Sequence, residues 1–495
     1  MKKTALFAAG LVLMQFLHAQ TKVFKEVSEE ISTQIKVITQ DNTLVGYLAF
    51  TRLEKASADS FNYRLTVMDE NLNDIGTLNF REENLLLNGV SFEQDVLCLA
   101  YLKSPVSENL SHKAVMKILN APPDGQVLVQ FINLSGKILN TYHTAVKLAE
   151  QTYDGTRMWT EQLIYYIKYP IQLKNITGKG FCLFYGDDNK RDLVLFDAAG
   201  RLRQDKKISA EDAGYLFSSV PNVYLMSKVS GVRGEGGYRL NAYSTIDSSA
   251  EFKYELKDEH GAWLKIISLD NDPNTNQAVL TGCIINPDRA LHYTSAREYS
   301  DDPYSGVFTL TLGNSDKTMV ANYSYWNKEG IPGISKDGLF TDKSFYVRYA
   351  TGFKDYNGNT IFAGTALVEK RFLGASKYKT ADAVFIVQDA KGKLTLDNNV
   401  QCEESSYFGP AGFVADFDKK SYYRVVNSDT RTNYMIIDDE HATYIYNVNG
   451  KKTMRTIQHK DGKIKTNISP AKEGHIMVAE YNKKEKYTRL SIEAL

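Results

Sequence analysis

Past its first nineteen residues the chain has no apolar run long enough to cross a bilayer as a helix, so no transmembrane anchor is expected. Neither charge is in excess: 59 Lys and Arg stand against 59 Asp and Glu. Nucleic acid and anionic membranes both require a basic footprint, so neither is the expected main partner. Proline is scarce, 11 residues in 495, and no Pro- or Ser-rich stretch separates one part of the chain from another. No G-x-S-x-G is present; the nearest match, GISKDG at Gly333 to Gly338, has one residue too many and reads as a loop. Of eight His, no two stand at metal-ligand spacing on one element, so no metal and no cofactor are expected.

What is present begins with MKKTALFAAGLVLMQFLHAQ. Lys2 and Lys3 precede an apolar core, Ala5 to Leu17, and cleavage after Ala19 would complete a secretory signal peptide. Leu17 departs from the small residue usual three positions before the cut. The alternative is a buried N-terminal helix. No Cys follows the core, which argues against a lipid anchor. The expected division is therefore a signal at 1–19 and a single domain over 20–495, located in the periplasm or outside the cell.

That domain repeats one phrase. LVLFDAAGRL at Leu193 to Leu202 is an apolar run, Asp197, two small residues and Gly200. Asp or Asn can open a type I turn by bonding its own backbone two residues on, and Gly supplies the positive φ that closes it, so the phrase predicts a β-hairpin. QFINLSGKIL, FIVQDAKGKL and YIYNVNGKKT repeat it at Asn133, Asp389 and Asn447. YRLTVMDENL adds Asp69, with Leu72 where Gly is expected. Weaker hairpins fall near Asp247 and Asn314. The openers recur at about 60 residues, the mark of a repeat architecture. An apolar strand runs ahead of each hairpin, in the seven phrases LVGYLAFTR, DVLCLAYLK, GFCLFYGDD, NVYLMSKVS, AVLTGCIIN, TIFAGTALV and GHIMVAEYN. The expectation is an all-β fold: one β-propeller of eight, alternatively seven, four-stranded antiparallel blades. The eighth repeat ends at Leu495 without its outer strand, and TKVFKEV, from Thr21, is free to supply it, so the ends of the chain are expected to close the ring.

Individual residues offer little chemistry. Cys98, Cys182 and Cys283 fall in matching strands of different repeats, too far apart for disulfides, and read as buried apolar residues. Cys402, in QCEESS, reads as more exposed, with Glu403 and Glu404 raising its pKa. LDNDPNTNQ, Leu269 to Gln277, alternates oxygen ligands but lacks the Gly and Glu of an EF-hand loop, and serves equally as a strand reversal. The Gly cluster GVRGEGGYR, Gly231 to Arg239, leads into the strand YRLNAY, so a hairpin loop is expected rather than a phosphate cradle. His441, after Asp438, Asp439 and Glu440, reads as a solvated turn. Trp263 is assigned to the core, and Trp159 and Trp326 to the rim.

The signal ending HAQ together with LVLFDAAGRL and FIVQDAKGKL resembles uncharacterised exported β-propeller-like proteins of Bacteroidota. The resemblance spans the mature chain. It implies a fold and a location and brings no catalytic residues with it. Taken together, the expected protein is an exported, non-catalytic binding scaffold acting as a monomer on a protein, peptide or glycan. Its candidate binding face comprises the interruptions Ser104 to Gly125, Lys147 to Gln162 and Lys328 to Lys343. The alternative is a secreted hydrolase or lyase acting on a glycan or peptide, with acidic residues converging on a central channel; the fold alone decides neither.

Overall fold

The structure is a computed structural model. It describes residues 20–495 apart from 26–31, 42, 58–59, 105–108, 111–123, 148–152, 158–162, 168–170, 187–190, 209–213, 231–235, 247–250, 287–303, 314–317, 330, 337, 341–344, 373–374, 404, 408–421 and 440. Eight antiparallel sheets, each built on four strands, follow one another along the chain as blades of a propeller. Blade 1 is Ser32–Gln40, Thr43–Lys55, Ser60–Asp69 and Asp74–Glu83. Blade 2 is Leu85–Glu93, Val96–Lys103, Asp124–Asn133 and Ile138–Lys147. Blade 3 is Ile171–Ile176, Gly180–Gly186, Arg191–Asp197 and Leu202–Ile208. Blade 4 is Gly214–Ser219, Asn222–Ser230, Gly236–Ser244 and Glu251–Glu255. Blade 5 is Leu264–Asn271, Ala278–Ile284, Gly306–Leu312 and Met319–Tyr325. Blade 6 is Phe345–Lys354, Thr360–Phe372, Ala375–Gln388 and Leu394–Val400. Blade 7 is Tyr422–Asn427, Thr432–Asp438, Ala442–Asn447 and Lys452–Gln458.

Blade 8 takes Ile464–Pro470, His475–Asn482 and Tyr487–Ala494 from the C-terminus and Gln20–Lys25 from the N-terminus. The two ends pair antiparallel from Gln20 against Ile492 to Lys25 against Tyr487. The ring of eight and its closure by both termini are thus as the sequence predicts.

The first strands of most neighbouring blades pack on one another, which makes them the inner strands around the axis. The apolar phrases seen in the sequence are the second strands. In Gly180–Gly186 and Ala278–Ile284 every residue is buried, because neighbouring blades cover both faces. The core is accordingly divided into eight clusters, one between each pair of successive blades. The cluster between blades 8 and 1 joins Tyr47, Met68 and Leu72 to Met477, Leu490 and Ile492, with Phe24 packed against it.

The turn chemistry explains the repeated phrase. At Asp197 the Gly200 amide donates to the Asp197 carbonyl at 2.9 Å, the Asp197 amide to the Arg201 carbonyl at 3.0 Å, and the Arg201 amide to Asp197 Oδ1 at 2.9 Å. The same three bonds recur at Asn133 and Asp389. They recur also at Asp69, where Leu72 itself adopts the left-handed conformation at φ 64°. Asn447 departs from the pattern. Its turn is one residue wider, Lys451 takes the positive φ of 51°, and the Gly450 amide bonds the Asn447 side chain at 2.6 Å. Two further copies stand at Asp258, in the link between blades 4 and 5, and at Asp355, between the first two strands of blade 6, both away from the third-to-fourth-strand joint where the repeated phrase falls.

These turns carry an acid-sensitive contribution to stability. Burial opposes the charge of Asp197, but the Arg201 amide and guanidinium and then Arg203 outweigh it, and the carboxyl is held below its ordinary value. Asp69 is held low in the same sense, with burial outweighed by Asn73 and Asn71. A depressed folded pKa gives stability that is complete above the unfolded value, 3.8 for Asp, and is lost as pH falls through the folded value. The melting temperature should therefore drop below about pH 4. Asp197→Asn should flatten that acid limb in a pH series of melting curves, and an unchanged limb would disprove the assignment.

Candidate functional site

Four-stranded meanders place their connections on two faces. On one face lie the links between first and second and between third and fourth strands. All are short: the longest, 245–250, 272–277 and 313–318, have six residues each. The other face holds the remaining links, and every long connection is there: 104–123, 148–170, 285–305, 326–344 and 401–421. The ring thus carries all its long connections on one face.

The predicted interruptions fall on this long-connection face. Two of them meet. Asn109–Leu110, Leu163–Ile167 and Tyr153–Arg157 form a small sheet, with Leu110 opposite Tyr165. Part of the third turns inward instead. Trp326 is 3% exposed, packs with Ile331, Ile334 and Phe340 between blades 5 and 6, stacks on Tyr349 and donates Nε1–H to the Tyr304 carbonyl at 2.6 Å. Trp326 is thus core, not rim as expected. Trp263 shows the reverse: it is only partly buried and lies beneath the Lys257 ammonium at 4.2 Å. Trp159 and Glu404 lie outside the described residues.

At the short-turn end the channel closes down. Asp41 of blade 1 accepts from Asn175 Nδ2 of blade 3 at 2.7 Å, and that same nitrogen donates to Glu93 Oε2 of blade 2 at 3.0 Å. Glu93 Oε1 also accepts from the Gly178 amide at 3.0 Å. Blade 7 reaches blade 5 through Arg424 Nη1 to Asp270 Oδ2 at 3.0 Å, and blade 6 reaches it through Lys354 Nζ to Asp272 Oδ2 at 2.9 Å. Residues of blades 1, 3, 4 and 5 line one polar recess here, including Asp41, Lys174, Ser219 and Asn276. Blades 1 and 5 are opposite each other in a ring of eight, so the bore has narrowed to this recess. Its volume of about 20 Å³ suits a single water-sized group.

This geometry bears on the enzyme alternative. Asp41 and Glu93 are a carboxylate pair on one amide, but a recess of about 20 Å³ admits no scissile bond between them. In LDNDPNTNQ, Asp270 and Asp272 are each committed to a cation of another blade, and Asp272 also accepts from the amides of Asn274 and Thr275. Burial disfavours the Asp272 charge, and the Lys354 bond, followed by those amides, outweighs it and holds its carboxyl low. The segment is the reversal between the first two strands of blade 5.

A hydroxyl–His–Asp group does occur, at Thr443, His459 and Asp438. Thr443 Oγ1 donates to Asp438 Oδ1 at 2.8 Å, while His459 Nε2 lies 2.8 Å from that hydroxyl and 3.1 Å from the same carboxylate oxygen. A relay needs hydroxyl and carboxylate on opposite ring nitrogens. Here both share Nε2, and Thr443 is fully buried. Burial pushes the Asp438 carboxyl above its ordinary value, despite the Thr443 bond and the His459 charge. The group is a latch: the His459 amide donates to the His441 carbonyl, and its own carbonyl accepts from Thr466 of blade 8, both at 2.8 Å. His441 itself is exposed in its turn, as expected. Among the described residues no three His, Cys, Asp or Glu gather to hold a metal.

All four cysteines are free, and Cys98, Cys182 and Cys283 are buried in second strands. Burial pushes the thiols of Cys182 and Cys283 up to about 12. Cys402 is raised to about 12 as well, by burial first and then by Asp439 and Asp382. Thiol titration should find all four slow in the native protein and accessible after denaturation; fast native labelling of Cys98, Cys182 or Cys283 would contradict the packing.

These features define the class as a β-propeller with one elaborated face and one constricted face. A family model described as a family of unknown function, DUF6770, matches residues 1–329, and the chain belongs to that family. A comparison with curated proteins finds no match. Among solved structures, the WD40 domain of SCAP from fission yeast is similar at 10% identity and TM-score 0.38, covering 96% of this chain and 98% of that one. A protein of unknown function from Bacteroides caccae is similar at 8% identity and TM-score 0.26, covering 72% and 94% respectively. A prolyl endopeptidase is similar at 10% identity and TM-score 0.36, with 94% of this chain covering 55% of that one.

Proposed function

We propose that this protein is an exported, non-catalytic binding scaffold that recognises its ligand through the long-connection face. The observation that carries the reading is the asymmetry of the ring: every connection longer than six residues leaves from one face. The constricted end supports a binder over a hydrolase or lyase, since its carboxylates are occupied by amides and cations. Shortening 287–303 and 408–421 to tight turns should leave the melting temperature near that of the parent and abolish capture on a panel of glycans and extracellular proteins. Retained capture would place recognition elsewhere, and turnover of a captured ligand would favour the enzyme.

Export is part of the same reading. Cleavage after Ala19 would leave the blade-closing strand Gln20–Lys25 intact. Mass spectrometry of the native protein should find Gln20 or Thr21 at the N-terminus, outside the cytoplasm; an intact Met1 on cytoplasmic protein would overturn this. A closed ring leaves only short sheet edges for a second copy, so a monomer is expected in light scattering.

A further inference from the structure

The chain is neutral overall, 59 cations against 59 acids, but one corner of the long-connection face is not. Two connections of blade 8 meet there: 459–463, which leads into its first strand, and 483–486, between its second and third strands. The Lys483 amide donates to the Lys463 carbonyl at 3.3 Å, so the two are in backbone contact. Lys460 and Lys465 stand directly opposite one another across a tight hairpin in which Gly462 takes the positive φ of 59°. Segments 460–465 and 483–486 together hold six Lys against Asp461 and Glu485.

Lys460, Lys463, Lys465, Lys483 and Lys484 are all exposed, and among the described residues none of the five forms an ion pair. Cations elsewhere in blades 7 and 8 do: Arg455 pairs with Glu493, Arg489 with Glu480 and Lys451 with Asp397. Like charges directly opposite in a sheet destabilise it, and neither Lys460 nor Lys465 is paired to a carboxylate that would offset the repulsion. A cluster left unneutralised at a cost in stability is the pattern of a contact whose counter-charge comes from a partner.

The neighbours of these lysines decide the kind of partner. Each connection carries one acid among its cations, Asp461 in KDGK and Glu485 in KKEK. A polyanion of a single sign, such as a nucleic acid, a polyuronate or an anionic bilayer, meets those carboxylates with repulsion. An acidic protein segment can set cations of its own against them. Tyr481 and Tyr487, beside the connections, are half-buried, so they offer no open platform on which bases could stack. Among the described residues no exposed large apolar side chain lies at this corner, which removes the anchor that an interfacial membrane contact uses.

We infer that this corner of blade 8 is a docking surface for an acidic protein segment, a stretch rich in Asp and Glu with an occasional Lys or Arg. This rests on the reading of the long-connection face as the recognition face and assigns a partner to one part of it. The probe is a fluorescein-labelled peptide, EEDKEEDKEEDK, followed by anisotropy with the full chain. It should bind, weaken as salt rises, and lose about tenfold or more in affinity in K463Q/K483Q/K484Q. The control K137Q/K391Q/K393Q, which removes the same charge from exposed positions on the short-turn face, should bind as the parent does. K460Q should bind less tightly and yet melt no lower than the parent, since it relieves the repulsion from Lys465. No binding by the parent, or equal loss in the control, would overturn the site. Tighter binding of hexagalacturonate, a DNA duplex or phosphatidylglycerol vesicles than of the peptide would overturn the assignment to a protein. Binding only by E26Q/E29Q/E30Q would show that the link from the closing strand to blade 1 neutralises the corner, and would overturn it too. The wider reading fails separately. Shortening 287–303 and 408–421 touches none of these lysines, so capture that survives it, with the peptide still bound, refutes the long loops as the contact and leaves this corner standing.

Discussion

Deleting Gln20–Lys25 should lower stability by on the order of 3 kcal/mol and make the protein aggregate, although no repeat is removed. Those six residues are the outer strand of blade 8, paired in register with Tyr487 to Ile492. Phe24 packs against the cluster between blades 8 and 1, and Lys22 pairs with Asp74 of blade 1. Without the strand, the edge at Tyr487–Ala494 is unpaired and the cluster loses an aromatic ring. A closed ring has no ends from which to unravel; an open one unfolds as a linear repeat array does, from its termini. Thermal melting with light scattering compares the truncated and mature chains. A synthetic peptide of sequence QTKVFK, added in excess, should recover part of the loss by mass action. A truncated chain that melts like the mature one, without scattering, would show that the termini do not hold the ring.

The ring was legible because its closing strand and its turns are local chemistry repeated at a fixed period. The seven apolar phrases of the sequence are all second strands, since a strand covered on both faces must be apolar throughout. The eighth second strand, Thr432–Asp438, begins with Thr and Asn, so its apolar run is too short to stand out in the sequence. Trp326 and Trp263 were exchanged for a comparable reason. Trp326 sits in a polar segment whose Ile331, Ile334 and Phe340 fold inward only because blade 6 offers them Tyr349 and Phe362. Trp263 stands just before the strand Leu264–Asn271, but a partly buried position beneath Lys257 depends on a neighbour that periodicity does not reveal.

The constricted end of the channel was legible least. Asp41, Glu93 and Asn175 stand 82 and 134 residues apart or less and meet only because three inner strands end at one axis. No spacing rule links them. LDNDPNTNQ is the strand reversal that its residues suit, yet nothing in it announces an Arg424 from two blades away.

Gly200→Ala should cost on the order of 2–5 kcal/mol, far more than the same change at Gly136, although both glycines close the same turn. Their backbones are nearly identical, with φ 80° and 81°. An alanine in that left-handed conformation costs about 1 kcal/mol at either site. The surroundings differ. A Cβ at Gly136 would meet nothing within 4 Å, whereas at Gly200 it would lie 2.3 Å from two ring carbons of Phe131. Phe131 belongs to blade 2, is fully buried, and is wedged against Phe181 and Phe196 at centroid distances of 5.7 and 5.0 Å. The ring has nowhere to retreat, so the methyl must push blade 3 away from blade 2 or force a strained rotamer. That shift would also strain the bond from Asn140 Nδ2 to the Gly200 carbonyl at 2.7 Å, which ties the same two blades. Denaturant unfolding of the two alanine variants separates the contributions: Gly136→Ala reports the backbone term, and the excess in Gly200→Ala reports inter-blade packing. Equal losses would mean that Phe131 yields freely and that the glycine is there for its conformation alone.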